Sequence, residues 1–259
     1  LDVGNDSVHD TQYYSRQGTW AQPGASASQM SAQRTELYGL RGKFIVFDGP
    51  DGSGKTTVRD RVAEHLRAAG LPVTTCKDPG GTSVGDRIRS ILLDHDLADM
   101  TVQCETLLFM ASRAQLVRQV IRPALQNEHV VLCDRFVSST CAYQVAAGDD
   151  FATIIDLARY AVGSTWPHLT LVLDVPVEIG FARIGRRTTA RRAAQLTAAD
   201  AAAGLDAMER RPTSFHAAVR ANFLTLPGRY PSPVEVIDAT QSLEENVKQA
   251  LEKLHRLAI

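Results

Sequence analysis

The sequence predicts an α/β fold in which a five-stranded parallel sheet is covered by helices on both faces. Two observations predict it. Short apolar segments alternate with segments of helical periodicity from residue 43 onward, and polar or glycine-rich clusters follow the first four apolar segments. Strands that alternate with helices form parallel sheets through right-handed crossovers, and ligands bind beyond the carboxyl ends of those strands.

Five apolar segments are predicted to be strands because they are short, rich in β-branched residues and followed by turn or acidic residues. They are Lys43–Asp48, Val73–Cys76, His129–Cys133, Leu169–Leu173 and Val234–Asp238. Helical spacing of apolar residues predicts the helices. These are a helix from the Thr56 region to Gly70, a helix around Ile88–Leu92, Glu105–Leu125, Phe151–Val162 and Leu243–Leu257. Gly70 is typical of a helix C-cap.

Composition divides the chain into two parts. Residues 1–40 are rich in Ser, Gln, Gly and Ala without a sustained period, which predicts a mostly disordered extension, and residues 41–259 are predicted to form one domain. The start has neither the basic nor the apolar region of a signal peptide, and no apolar run reaches the length of a membrane span. We therefore expect a cytoplasmic protein without a membrane partner.

Charge and cysteine content exclude other classes. The net charge of −1 argues against a nucleic-acid-binding protein, which would carry a basic excess. The four cysteines, Cys76, Cys104, Cys133 and Cys141, form no CxxC pair and have no metal-like spacing with histidines. Buried thiols in a reducing compartment are favoured over a redox or metal role.

A phosphate-binding motif follows the first predicted strand. Gly49–Thr56 fits G-x-x-x-x-G-K-[ST] between a strand and a helix, which is the context of a P-loop. Lys55 is expected to reach the β- and γ-phosphates, and the Thr56 hydroxyl is expected to bind Mg²⁺. A glycine-rich turn that binds no ligand is the weaker alternative, because a strand precedes the motif and a helix follows it. The predicted triphosphate-binding residues are Gly49, Pro50, Asp51, Gly52, Ser53, Gly54, Lys55, Thr56 and Thr57.

Two acidic residues follow apolar strands, so position alone does not identify the one near the metal. Asp134 is followed directly by Arg135, and a carboxylate beside a guanidinium suits a site for metal and phosphate. Asp174 has no such neighbour, and it is interpreted as a cap of the next element.

Five arginines occur between Arg183 and Arg192, and lysine is absent there. Arginine is suited to bidentate phosphate binding. A mobile lid over residues 183–211 that closes on the transferred phosphate is favoured over a solvated helix face, which is the ordinary meaning of a charged run.

Four segments that occur in one order point to a family. They are Asp48–Thr57, Asp78–Thr82, Glu105–Arg113 and Asp134–Gln144. With them the chain from Lys43 onward, about five-sixths of its length, resembles the bacterial type of the thymidylate kinase family. The resemblance implies the P-loop nucleoside monophosphate kinase fold, phosphorylation of dTMP to dTDP with MgATP, and a homodimer packed through helices.

The resemblance also implies residue roles. Asp51 would contact the region of the acceptor's 3′-hydroxyl, Phe109 would stack on thymine, and Arg113 would donate to a base carbonyl. Without the resemblance, Phe109 is interpreted as a core residue. The remaining implied substrate contacts are Pro79, Thr140 at the pyrimidine edge, Tyr143 at the sugar 2′ position, and Gln144.

The catalytic residues implied by the resemblance are Lys55, Asp51, Asp134, Arg135 and a lid arginine, Arg187. Arg135 would hold the acceptor phosphate, and Asp134 would organise Mg²⁺ or the attacking oxygen. The chain departs from the bacterial pattern at Asp78, where Glu is usual, at Lys77, where Arg is usual, and in an alanine-rich insert at Ala193–Gly204.

Three alternatives remain open: a kinase for another nucleotide acceptor, a nucleotide-dependent switch, and an inactive relative that serves as a scaffold. No N-K-x-D guanine signature is present. An acceptor-phosphate arginine after Asp134 would also have no use in a switch.

Overall fold

A computed structural model describes residues 37–94, 99–194 and 211–259, with the side chains of residues 187–194 excepted. Its strands are β1 (Phe44–Asp48), β2 (Val73–Lys77), β3 (Val130–Asp134), β4 (Leu169–Asp174) and β5 (Val234–Asp238). Its helices are α1 (Lys55–Ala68), α2 (Ser83–Leu92), α3 (Val102–Leu116), α4 (Arg122–Gln126), α5 (Val137–Ala146), α6 (Phe151–Val162), α7 (Val177–Ala194), α8 (Thr213–Thr225) and α9 (Leu243–Ala258).

All five strands form one parallel sheet in the order β2-β3-β1-β4-β5. β1 lies at the centre of the sheet, with β3 on one side and β4 on the other. The chain builds the β2 and β3 side first and then crosses to β4 on the opposite side of β1. The register pairs Phe47 with Asp134, and Lys77 with the same aspartate. The carboxyl ends of β1, β2 and β3 therefore meet at one edge, where α/β sheets bind ligands.

Alternate residues of β1 enter two hydrophobic cores on opposite faces of the sheet. Phe44 and Val46 pack with apolar side chains of α3, α5, α6 and α8. Ile45 and Phe47 pack with those of α1 and α9. All four side chains are fully buried, as expected for a central strand of a doubly covered parallel sheet.

The predicted parallel α/β architecture is confirmed, and α6 and β5 have the predicted bounds. Sequence periodicity missed α5, α7 and α8. Most residues of α5 are buried, including the polar Ser138, Thr140 and Gln144, so the helix has no exposed polar face to produce an amphipathic pattern.

The helix predicted at Glu105–Leu125 is interrupted. A π turn at Val117–Ile121 separates α3 from α4, and Pro123 follows it near the start of α4. Proline has no N–H to donate to the preceding turn, which accounts for the widened hydrogen bonding just before it.

The described residues begin at Leu37, four residues before the predicted domain boundary at residue 41. A 3₁₀ helix spans Tyr38–Leu40 and is preceded by Leu37. The side chains of Leu37 and Leu40 are both buried in the core beside α1 and α9. Two apolar side chains three residues apart were too few to predict a helix. The rest of the predicted extension, residues 1–36, lies outside the described residues, as do residues 195–210 of the predicted lid.

Candidate active site

The P-loop follows β1 and leads directly into α1. Gly54 caps α1 with a left-handed backbone (φ 86°), so Lys55 is the first residue of the helix. Gly52 also has positive φ (75°), and a Cβ there would collide with the carbonyl oxygen of Gly180. Glycine is therefore required at position 52 both by conformation and by space. The loop presents the N-terminus of α1, where N–H groups and the helix dipole favour a phosphate.

Lys55 is buried within this loop. Its Nζ donates to the carbonyl oxygen of Pro50 (3.4 Å) and lies 4.0 Å from Asp51 Oδ1. Burial lowers the pKa of Lys55, and the positive charge of Arg135 acts in the same direction. A cation held with so little solvent interacts strongly with an entering anion.

Thr56 and Asp134 provide oxygen ligands beside the loop. The Thr56 hydroxyl donates to Asp134 Oδ2, which joins the start of α1 to the end of β3. Hydroxyl and carboxylate oxygens are the donors that Mg²⁺ prefers, and Mg²⁺ is ordinarily held by one or two carboxylates together with substrate phosphates. The pair fits that metal. Within the described ranges, no cluster of three or more His, Cys, Asp or Glu residues suits an all-protein metal site.

Arg135 occupies the centre of the site with a left-handed backbone (φ 68°). Its Nη2 donates to Asp51 Oδ1 (2.5 Å) and to the Tyr143 hydroxyl (3.1 Å), and its Nη1 donates to Ser139 Oγ (2.9 Å). The guanidinium also lies over the Tyr143 ring, 5.0 Å from its centre. Burial works to lower the pKa of Arg135, but Tyr143, Asp51 and Asp48 raise it above its usual range.

Asp51 joins the P-loop to α5. Tyr143 donates its hydroxyl to Asp51 Oδ2 (2.7 Å), while Arg135 binds the other carboxylate oxygen. Burial works to raise the pKa of Asp51, yet the charges of Arg135 and Lys55 hold it below the usual value. The pKa of Tyr143 is raised well above its usual value, chiefly by burial.

Asp48, a fully buried residue to which the sequence analysis assigned no role, supports this centre. Its carboxylate accepts from Ser138 Oγ (2.6 Å), Ser139 Oγ (2.6 Å) and the Gly49 N–H (2.9 Å). It thereby ties the start of the P-loop to the start of α5. An acidic residue at the last position of an apolar strand, directly before the loop, was the available signal.

A cleft of about 550 Å³ opens next to the P-loop. Its lining residues come from the P-loop, from the loops after β2 and β3, from α2 and the residue that follows it, and from α3 and α5. They are Asp51, Asp78, Pro79, Arg89, Leu93, Phe109, Arg113, Arg135, Ser139, Thr140, Tyr143 and Gln144. All eight residues that the sequence analysis assigned to substrate contacts are brought together here.

Arg113 lies in the wall of the cleft and is almost fully buried. Its Nε donates to Asp78 Oδ2 (2.6 Å), and its Nη2 donates to Thr140 Oγ1 (3.0 Å) and the Phe136 carbonyl (3.2 Å). Burial raises the pKa of Asp78 although Arg113 opposes that shift. The aspartate that replaces the usual glutamate therefore makes a direct buried ion pair with the predicted base-contacting arginine.

The sequence analysis missed four lining residues. No role was predicted for Asp78, Leu93 or Ser139. Arg89 was not identified either, because α2 carries several charged residues and the sequence does not distinguish among them. Arg89 Nη1 donates to the Pro79 carbonyl (3.0 Å), so α2 is held against the loop after β2. Its position two residues after Arg87, on the other side of α2, was the only signal in the sequence.

The remaining predictions have different outcomes. Asp174 pairs bidentately with Arg220 of α8 (2.7 Å for both bonds), so it joins two elements instead of capping the next one. The arginine run lies on α7, whose backbone is helical to Ala194. The side chain of Arg187 lies outside the described residues, and its catalytic role stays a prediction.

Cys133 and Cys141 are buried, Cys76 is half-buried and Cys104 is exposed, and all four are free thiols. No helix in the described part of the chain combines the length and apolar character needed to cross a membrane.

Comparison with known proteins agrees with this geometry. The family model described as thymidylate kinase matches residues 47–250. The chain is 41% identical over 216 residues to a thymidylate kinase of Pseudomonas fluorescens strain SBW25, covering 83% of this chain and 95% of that protein. It is 43% identical over 198 residues to a thymidylate kinase of Thermomicrobium roseum, covering 76% of this chain and 87% of that protein.

Proposed function

This chain belongs to the thymidylate kinase family and transfers a phosphate from ATP to dTMP, and we propose that the transfer takes place at Asp51 and Arg135, where the P-loop meets the cleft. One observation carries the proposal. Asp51 is a residue of the P-loop and also lines the neighbouring cleft, where Arg135 binds it. A triphosphate on the loop and a monophosphate in the cleft therefore meet at these two side chains.

On the donor side, the P-loop residues Gly49–Thr57 bind the ATP phosphates, and all except Pro50 offer backbone N–H groups for this; the buried Lys55 ammonium neutralises the phosphates. Thr56 and Asp134 hold Mg²⁺, supported by their direct hydrogen bond. Bound Mg²⁺ supplies charge neutralisation on the phosphate oxygens. The loose transition state of phosphoryl transfer depends on such cations and on positioning, so no covalent enzyme intermediate is needed.

On the acceptor side, Arg135 binds the dTMP phosphate and Asp51 lies against the 3′-hydroxyl region of the sugar. The contacts of Arg135 with Asp51 and Tyr143 support this, because they hold the guanidinium at the junction of cleft and loop before a substrate enters. Preorganised donors lose little entropy when the phosphate arrives.

The base lies deeper in the cleft. Phe109 stacks on thymine, Arg113 and Thr140 contact its polar edge, and Tyr143 crowds the sugar 2′ position. Pro79 and Gln144 complete the contacts. The shared lining of one cleft supports this set, as does the Arg113–Thr140 hydrogen bond, which presents the two side chains as one unit. Arg187 on α7 enters from the lid when the transferred phosphate is covered.

The purified full chain with MgATP and a panel of nucleoside monophosphates tests the reaction. We expect ADP release with dTMP to exceed that with dCMP, dGMP or dAMP by at least about tenfold, and EDTA to abolish it. ADP release that depends on another monophosphate but not on dTMP would contradict the proposed acceptor.

We further propose a homodimer that forms through helices. Val84 and Ile91 on α2, Leu107 on α3 and Tyr160 on α6 are large apolar side chains that are at least 41% exposed, and these helices pack side by side. Such a cluster is typical of a protein interface. Sedimentation should give twice the 28.2 kDa chain mass, and Leu107→Glu should shift it to the monomer.

A reducing, cytoplasmic location is proposed from the free state of all four thiols. Fractionation of cells that express the tagged full chain, with alkylation of unpaired cysteines before lysis, tests it.

A further inference from the structure

A buried series of polar contacts connects the cleft to α8. Gln144, which lines the cleft and is 1% exposed, donates from Nε2 to Glu105 Oε2 (3.1 Å). Glu105 is also buried, and it accepts from Arg211 Nη2 at both carboxylate oxygens (3.1 and 3.2 Å). None of the substrate contacts proposed above includes Glu105 or Arg211.

The chemistry of this series fixes the orientation of one amide. A carboxylate accepts hydrogen bonds and donates none, so Glu105 requires the NH₂ group of Gln144 to face it. The amide oxygen of Gln144 must then lie on the other side of the group. That oxygen is buried and makes no hydrogen bond with any described residue. A buried acceptor without a partner is costly, which favours a ligand that donates to it.

We propose that Glu105 is a positioning residue that sets base selectivity, because it orients Gln144 with Oε1 as the atom available to the acceptor base. A pyrimidine with an N–H at ring position 3 donates to that oxygen. Cytosine has a lone pair at the same position, and two acceptors would face each other without a proton. The proposal rests on the proposed function and extends it to a residue that does not itself touch the substrate.

Arg211 keeps Glu105 in this orientation. Its guanidinium lies 4.7 Å from the centre of the Phe215 ring, and that ring packs against Tyr143 with 6.3 Å between ring centres. The arginine is therefore held by α8 as well as by the carboxylate. Without Arg211, Glu105 can turn away from Gln144. We therefore expect substitution of Arg211 to change base selectivity in the same direction as substitution of Glu105, but by a smaller factor.

A purely structural role for Glu105 is the competing explanation, since it joins α3, α5 and α8. The neighbouring residue provides a matched control. Thr106 is equally buried, and its hydroxyl donates to Asp149 Oδ2 (2.6 Å) in the loop after α5. Thr106→Val removes a polar contact between nearly the same elements without touching the amide of Gln144.

The test compares wild type, Glu105→Gln and Thr106→Val. Glu105→Gln keeps the shape but presents an amide that donates or accepts, so Gln144 is no longer held in one orientation. We expect the ratio of kcat/KM for dTMP over dCMP to fall by about tenfold or more, through a higher KM for dTMP. The KM for ATP should stay within about threefold of wild type. Thr106→Val should keep the wild-type ratio.

Rescue separates orientation from packing. In Glu105→Gln/Gln144→Glu the carboxylate and amide exchange places, and residue 144 again offers only acceptor oxygens to the base. The dTMP over dCMP ratio should recover by several-fold relative to Glu105→Gln. Gln144→Glu alone places two carboxylates together and should weaken dTMP binding, measured without ATP by titration calorimetry.

An unchanged ratio in Glu105→Gln, with only a lower melting temperature or kcat, overturns the inference. If that variant does not fold, Arg211→Ala takes its place, and an unchanged ratio there has the same meaning. Wild-type protein that releases no ADP with dTMP contradicts the proposed function itself, so the two failures are distinguished by different proteins in the same assay.

Discussion

The P-loop and the acceptor cleft share Asp51 but are built from different kinds of structure. The loop is made by consecutive residues, Gly49–Thr56, and much of its work is done by backbone N–H groups and the start of α1. The cleft is assembled from side chains of three loops and three helices that are distant in sequence. Arg113, for example, is 35 residues from its ion-pair partner Asp78.

The P-loop and the cleft are therefore suited to different kinds of recognition. A backbone site recognises what all triphosphates have in common, and it tolerates side-chain changes that keep the glycine conformations. A side-chain site distinguishes one base from another, and it depends on buried ion pairs whose loss leaves uncompensated charge. Substitutions in the two regions should therefore change different kinetic constants, and Arg135, at their boundary, should have the largest effect.

Arg135→Ala is expected to lower kcat with dTMP by about 10³-fold or more, because an arginine that neutralises the transferred phosphate contributes on that scale. ATP affinity should change little, since the loop keeps its own contacts. Steady-state kinetics and ATP titration measure the two effects. Arg256→Ala, an exposed arginine on α9, is the control and should behave as wild type. Retained turnover in Arg135→Ala would contradict the proposed role of Arg135 on the acceptor phosphate.

Lys55→Met is expected to lower kcat by about 10²-fold, the usual cost of losing one preorganised donor to a developing charge. The contrast with the cleft predicts that the KM for dTMP changes by less than about threefold. The exposed Lys248 of α9 gives the matched control, Lys248→Met. Equal weakening of both substrates would show that the two sites are not independent in the way their construction implies.

Tyr143→Phe removes the hydroxyl that binds both Asp51 and Arg135. A lost hydrogen bond to charged groups is worth about tenfold in kcat/KM for dTMP, with the KM for ATP unchanged. Tyr38→Phe, at a side chain that is 45% exposed, should have no effect. The hypothesis that Tyr143 belongs to the acceptor side is wrong if ATP kinetics change instead.

The smallest expected effect is on stability at acid pH. The pKa of Asp51 is lowered in the folded protein, so its contribution is present above its usual pKa of 3.8 and is lost as the pH falls through the lower folded value. The melting temperature difference between wild type and Asp51→Asn should be constant above about pH 5 and shrink below pH 4. A difference that grows as the pH falls would reverse the assigned direction.

Local patterns made much of this molecule predictable. Strand periodicity and the P-loop motif need only neighbouring residues, so the sheet and Gly49–Thr56 were identified without structural data. The eight residues predicted to contact the substrate came from a resemblance in four segments, and the structure brings all of them to one cleft.

What was missed depends on packing between distant segments. α5 is largely buried and has no periodic signal, and Asp174 pairs with Arg220, 46 residues further along the chain. The contact of Arg211 with Glu105 spans 106 residues. Nothing in the sequence near either residue identifies the other, because buried ion pairs are selected by three-dimensional position.

The strand order has a consequence for how the chain folds during synthesis. β1 and β2 are consecutive along the chain, yet β3 lies between them in the sheet. Until residues 130–134 have left the ribosome, the first two strands have no native partner, and two unpaired apolar edges are exposed to other chains. When β3 inserts, it pairs with both β1 and β2 and brings Asp134 and Arg135 to the P-loop in the same event. Pairing of the first three strands and completion of the phosphate site are thus one step.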